Sequence, residues 1–159
     1  MEIHNIKPLY DKNSKILILG SFPSVKSREA QFFYHHPQNR FWKIMNRILN
    51  EDMNTIENKK TILLKHNIAL WDVIESCEIK GSSDSSIKHV CSNNINQIIN
   101  NSNIKYIFTN GKKSHELYNK YCLKETNIQA IYLPSSSPAN AAYNLERLVE
   151  EWKIILDYL

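Results

Sequence analysis

The chain has 159 residues, 42% hydrophobic and 23% charged, with 3 glycines and 5 prolines. That length fits one domain, 1–159, with a real core, and the composition excludes a disordered, collagenous or low-complexity chain. A net charge of +4 permits contact with nucleic acid without arguing for it.

Four apolar runs read as buried strands, in chain order Lys15–Gly20, Ile68–Ile74, Ile104–Asn110 and Ile128–Pro134. Each is nearly continuous rather than alternating, which favours a parallel sheet covered on both faces. Helical stretches fall between them. Arg40–Asn50 carries Phe41, Ile44, Met45 and Ile48 at helical spacing, and Ile56–Asn67 carries Ile62 and Leu63. Asn94–Asn101, Lys113–Cys122 and Asn144–Leu159 complete the set. The alternation predicts an α/β chain, a three-layer α/β/α sandwich around a four-stranded parallel sheet. Gly81–Ser86 (GSSDSS) is small and polar throughout and is expected to be a mobile surface loop.

Cys77, Cys91 and Cys122 form no CxxC, which argues against a thiolate metal site. No apolar run approaches the roughly 18 residues of a membrane span, and Met1–Asp11 has no signal-peptide pattern. The expectation is a monomeric cytoplasmic protein with reduced thiols and no cofactor, metal or membrane contact.

Ligands of open parallel sheets sit beyond the carboxyl ends of the strands. Four segments there carry turn-forming or polar residues. The first is Gly20-Ser21-Phe22-Pro23-Ser24, a tight turn that matches neither a P-loop nor a nucleophile elbow. Trp71-Asp72 is the second and Asn110-Gly111-Lys112-Lys113, on its own an ordinary turn, the third. The fourth, Pro134-Ser135-Ser136-Ser137-Pro138-Ala139-Asn140, offers hydroxyls and backbone N–H groups ahead of the last helix, a candidate anion site that also reads as a plain serine-rich loop. A further cluster, Tyr34-His35-His36-Pro37-Gln38-Asn39-Arg40-Phe41-Trp42, stands where the chain enters a helix, with Asn39 at an N-cap position. Its adjacent histidines have no nearby carboxylate on the C-terminal side and make a poor metal pair.

Together, Leu19-Gly20-Ser21-Phe22-Pro23-Ser24, His36-Pro37-Gln38-Asn39-Arg40-Phe41-Trp42, Phe108-Thr109-Asn110-Gly111-Lys112 and Leu133-Pro134-Ser135-Ser136-Ser137 resemble the uracil-DNA glycosylase superfamily, nearest its deoxyinosine (hypoxanthine) branch. The resemblance runs from about Lys15 to about Trp152 and implies a monofunctional base-excision-repair enzyme acting on DNA with a deaminated base, which flips into a pocket. In a prokaryote such an enzyme works at the nucleoid. Superfamily members of high activity place Asp or Asn just before the proline of the first motif, where this chain has Phe22. The deoxyinosine branch likewise lacks a polar residue there and uses an Asn of the later motif, so the resemblance moves the catalytic role to Asn39. That amide would hold water with its carbonyl or bond the base or sugar with its NH₂. Tyr34 takes the place of the aromatic that stacks on the flipped base. Trp71 and Asp72 lie near the relatives' base-reading Asn, with Asp72 a possible acceptor for a ring N–H or a buried cap of a turn. Asn110 is a pocket or turn residue. Ser135–Ser137 resemble the loop that pinches phosphates, and the bulky plug that usually follows is replaced by Pro138, Ala139 and Asn140.

Three readings stand: a hypoxanthine glycosylase, the same reaction on uracil, xanthine or a G·U or G·T mismatch, and a catalytically silent DNA- or nucleotide-binding α/β domain. A serine hydrolase is remote, because no Ser–His–acid set assembles. Basic charge is concentrated in residues 12–47, where Lys12, Lys15, Lys26, Arg28, Arg40, Lys43 and Arg47 stand against Glu29 alone, and this span is expected to face phosphates.

Overall fold

The computed structural model describes residues 1–4 and 6–159. In chain order its elements are β1 (Glu2–Ile3), β2 (Ile16–Gly20), α1 (Val25–Ala30), α2 (Phe41–Leu49), α3 (Ile56–Lys65), β3 (Ile68–Asp72), β4 (Ile74–Glu78), β5 (Lys88–Ser92), α4 (Ile95–Ile99), β6 (Tyr106–Asn110), α5 (Lys112–Tyr121), α6 (Leu123–Thr126), β7 (Ala130–Leu133) and α7 (Leu145–Trp152), the last continued by a 3₁₀ turn over Lys153–Tyr158. Four strands form a parallel sheet in the order β3-β2-β6-β7. Every residue of β2 and β3 is buried, as expected of strands covered on both faces, and this explains their unbroken apolar sequence.

The expected run Ile68–Ile74 divides at Val73. Up to Asp72 it pairs with β2; beyond Val73 it turns into a second, antiparallel sheet, β1-β4-β5. Buried Asn93 satisfies the break, its N–H donating to the Val73 carbonyl at 2.8 Å and its amide to the Asp72 carbonyl at 2.9 Å. Sequence periodicity missed this hairpin because β4 and β5 are short, bulged and half exposed. Gly81–Ser86 lies at the surface as expected; it contains a 3₁₀ turn (Asp84–Ser86) and bonds back onto the rest of the protein.

Aromatic packing sets the position of α2. Phe41 stacks on Tyr34 with centroids 4.2 Å apart and meets Trp152 edge-on at 5.6 Å. Trp42 lies parallel to Phe32 at 5.5 Å, and its indole N–H donates to the Phe33 carbonyl at 3.1 Å. Phe-Trp at the head of α2 therefore anchors the segment that holds Asn39 immediately before it. No helix among the described residues is long and apolar enough to cross a membrane.

Candidate active site

A cavity of about 270 Å³ opens at the carboxyl ends of β2, β3 and β6, where Gly20, Asp72 and Asn110 close their strands. It lies near the lower end of the roughly 300–1,000 Å³ usual for small-molecule sites. Gly20–Ser24 lines one side, Tyr34, His36 and Asn39 another, and Ser135–Ala139 a third. Residues far apart in sequence thus meet at one place. Trp71, Pro134 and Asn140 do not line it.

One wall is a continuous hydrogen-bonded relay. The Asn110 amide donates to Ser136 Oγ at 3.0 Å, and Ser136 Oγ donates to Asn39 Oδ1 at 2.8 Å. Asn110 Oδ1 accepts from the Ser136 backbone N–H at 3.0 Å. Asn39 Oδ1 also accepts from the Phe41 N–H at 2.9 Å, at the start of α2. Two donors on one oxygen fix the orientation of the amide, and both commitments fall on Oδ1. The Asn39 NH₂ is the end left for a ligand.

Arg40 braces this wall. Its backbone N–H and Nε donate to the Ser136 carbonyl, and Nη2 donates to the carbonyls of Ser137 (2.7 Å) and Asn140 (3.1 Å). Nη1 reaches the carbonyl of Tyr143. A planar guanidinium with five donors suits such a task, and lysine would not replace it. At the other end, the Trp152 indole N–H donates to the Pro134 carbonyl at 2.9 Å. The loop amides are also spent: Ser136 N–H on Asn110, Ser137 N–H on Ser135 Oγ and Ala139 N–H on Ser137 Oγ. Its nearest helix, α7, starts only at Leu145 and is capped by the Asn144 side chain. The loop thus stands apart from the helix entrance, and its hydroxyls are what it chiefly offers an anion. Asn140 turns its amide inward to the Ser135 carbonyl, leaving Pro138 and Ala139 exposed at the tip.

The opposite floor differs. Asp72 is 4% exposed, and its Oδ2 is buried without a hydrogen-bond partner. Burial pushes its carboxyl up to about 7, and the Asp84 carboxylate adds to the rise. A Cβ on Gly20 would stand 2.6 Å from Asp72 Oδ1 and 3.2 Å from the Tyr34 hydroxyl, so only glycine lets β2 end against this carboxyl. The Tyr34 hydroxyl is likewise buried without a partner. Burial and the Asp72 charge push its ionisation far upward, while the nearby Asn110 amide opposes the shift without completing a hydrogen bond. Tyr34 adopts φ 52°, a left-handed conformation rare for a bulky residue and costing on the order of 1–3 kcal/mol.

Trp71 alternates away from Asp72 on β3; it is buried, with an unpartnered indole N–H. Phe22 lines the cavity behind an edge contact with His4 and beneath the Arg28 guanidinium. Ser24 is also the cap of α1. Gly111, at φ 99°, leaves room for Ser135, which a Cβ there would meet at 3.0 Å.

Sequence reasoning missed four lining residues, Ser27, Phe33, Ser82 and Asp84. Ser21 Oγ donates to Asp84 Oδ1 at 2.9 Å, Val25 N–H to Ser82 Oγ at 3.0 Å, and Arg28 Nη2 to the Gly81 carbonyl at 2.7 Å. Much of Asp84 remains open to solvent, but crowding around its carboxylate raises its pKa against the pull of Ser21 and Lys113. The available signal for Ser82 and Asp84 was the polar turn between two short half-buried runs, which is a hairpin pattern. Much of the basic excess of residues 12–47 is also committed: Arg40 to loop carbonyls, Arg28 to Gly81 and Glu2, and Arg47 to Glu146. Among the described residues no group of His, Cys, Asp or Glu gathers as a metal site.

The family model of the uracil DNA glycosylase superfamily matches residues 7–158. A protein of Methanosarcina barkeri named hypoxanthine DNA glycosylase is 34% identical over 143 residues, 88% of this chain and 89% of its own length. A protein of the same name from Methanosarcina acetivorans is 34% identical over 148 residues, covering 91% and 92%. The solution structure of a candidate uracil DNA glycosylase from Methanosarcina acetivorans superposes with a TM-score of 0.82 at 33% identity, over 98% of this chain and 96% of that one. The parallel sheet, the cavity at its carboxyl edge and these matches along nearly the whole chain agree: the chain belongs to the uracil DNA glycosylase superfamily.

Proposed function

We propose that the chain is a monofunctional DNA glycosylase that hydrolyses the N-glycosidic bond of a deaminated base, hypoxanthine first, turned out of DNA into the cavity. The observation that carries this reading is the Asn110–Ser136–Asn39 relay, which holds one amide with its NH₂ free at the edge of a base-sized cavity. Hypoxanthine as the preferred base is supported by the two Methanosarcina relatives of that name.

Breaking the bond develops positive charge on the sugar and negative charge on the base. An amide cannot accept a proton at neutral pH, but a fixed N–H donor stabilises charge developing on a base or sugar oxygen. Because Asn39 Oδ1 is doubly occupied, the donor end acts, rather than the carbonyl holding a water. Tyr34 presents its ring to the cavity from a rigid stack on Phe41. The hydroxyls of Ser135 and Ser137 are left to meet phosphate oxygens beside the lesion. No lysine lines the cavity among the described residues, which favours hydrolysis over a Schiff-base lyase path. With Pro138 and Ala139 at the loop tip and the Asn140 amide turned inward, nothing bulky fills the vacated stack. Opening a matched duplex is then slow, and mispaired or single-stranded substrates react faster.

The test incubates the protein, with EDTA present, with labelled duplexes holding hypoxanthine, uracil, xanthine or a G·T mismatch, and scores abasic sites. Excision of hypoxanthine ahead of the others is expected. Silence on all four with DNA still bound overturns the proposal in favour of a binding module.

A further inference from the structure

Phe22 has no proton to give and Asn39 cannot transfer one, so the proposed chemistry lacks an acid. The cavity floor holds a carboxyl that the relay does not use. Asp72 closes β3, is almost wholly buried, lines the cavity, and has an oxygen with no protein partner. An unpaired buried carboxyl is costly to keep, so it calls for an explanation. Folding does not supply one: the strand break beside it is satisfied through backbone carbonyls by Asn93, not through the Asp72 side chain.

We propose, resting on the reading of the chain as a hypoxanthine glycosylase, that Asp72 is the general acid of the excision and protonates the departing purine. The C1′–N9 bond breaks with its electron pair on the base, and the Asp72 carboxyl gives its proton to a basic atom of that base. Water forms the new C1′–O bond and releases one proton to solvent, and the Asp72 carboxylate takes one back. Each turn consumes one water and leaves hypoxanthine and an abasic sugar.

The groups facing Asp72 fit this role. Gly20 brings backbone within van der Waals reach of its Oδ1, and the Tyr34 hydroxyl lies on the same floor and stays protonated. The Asp84 carboxylate, held by Ser21 and near Lys113, is the negative neighbour that disfavours ionisation of Asp72. His36, across the cavity, uses Nδ1 to accept from the Gln38 N–H. Among the described residues no cation offsets the Asp72 charge, and burial holds the proton on it to about pH 7. Two carboxyls in unequal surroundings are how one site keeps an acid at neutral pH.

The readout is single-turnover release of hypoxanthine at saturating enzyme between pH 5.5 and 9. In the wild type the rate is expected to be flat at low pH and to fall about tenfold per pH unit above a midpoint near 7. Asp72→Asn loses on the order of 100-fold or more at pH 6, and its remaining rate no longer falls with pH. Asp84→Asn moves the midpoint to lower pH, and His36→Gln keeps the falling limb. A wild-type rate that rises or stays level from pH 6 to 8.5 overturns the proposal without any variant. So does a folded, DNA-binding Asp72→Asn that keeps the limb, or a limb found in DNA affinity but not in the bound-state rate. A wild type that releases no hypoxanthine at any pH defeats the parent reading instead.

Discussion

The two sides of the cavity are built on opposite terms. On the Asn39 side the polar atoms of the relay are committed: Asn110, Ser136, Asn39 Oδ1 and the Arg40 guanidinium all have partners. On the Asp72 side, a carboxyl oxygen and the Tyr34 hydroxyl are buried with none. A satisfied network is rigid and holds its one free donor in place before substrate arrives. An unsatisfied pair costs folding energy and gains its partner only from a ligand. Stability is thus concentrated on one wall, and capacity for new bonds on the other.

Substitutions separate these roles. The largest effect is expected on the committed wall: Asn39→Ala loses on the order of 100–1000-fold or more in single-turnover excision, with DNA binding kept. Asn39→Asp should fall nearly as far, because it keeps the acceptor that Ser136 and Phe41 use and removes only the NH₂. An aspartate variant with normal rate would show that the oxygen, not the amide donor, does the work. Ser136→Ala removes one link and leaves Asn39 aligned by Phe41 alone; a loss of about fivefold follows from one hydrogen bond of ~1 kcal/mol, measured in the same assay.

Besides the loss of rate at Asp72, the other wall should respond in stability. Asp72 has its folded pKa raised to about 7, so the native state holds a proton the unfolded chain gives up, and stability is lost as pH rises through about 7. Asp72→Asn removes that dependence. Its Tm relative to wild type should be higher at pH 8 than at pH 4, the gap being worth a few kcal/mol at most. A gap of the reverse sign would mean that the carboxylate is stabilised in the native protein.

His4 is the matched control, a buried titratable side chain with both nitrogens engaged: Nε2 with the Ile74 carbonyl at 2.7 Å and Nδ1 accepting from the Ile6 N–H. Burial lowers its pKa, so the unfolded chain binds protons first and stability falls as pH drops below about 6.5. His4→Gln should flatten that acid limb in a urea-melt series. The smallest effect belongs to Arg47–Glu146, a two-bond pair exposed to solvent between α2 and α7. Its removal should leave Tm almost unchanged, since exposed pairs contribute little.

The sequence made the parallel sheet legible because a strand buried on both faces must be apolar throughout, as Ile16–Gly20 is. The gathering of Gly20, Asp72, Asn110 and Ser136 was legible because the site of such a sheet lies at its strand ends, whereas Asn39, ahead of α2, was assigned to the site only by the resemblance. The hairpin that carries Ser82 and Asp84 was not, since a small polar turn has no periodicity and only the returning strands place it. Nor did sequence reveal where Arg40 spends its charge. A guanidinium beside a helix start reads as a phosphate ligand until the carbonyls of residues 136–143 are seen around it.

Arg40 at one end and Trp152 at the other fasten the Pro134–Tyr143 segment at sites remote in sequence. The Ser136 hydroxyl is therefore positioned independently of what occupies 138 and 139 at the exposed tip. Under the proposed function, chemistry and duplex handling are mechanically uncoupled within a few residues of one another. Exchanging the small tip for a bulky one would then change which DNA contexts open without disturbing the group that aligns the proposed catalytic amide.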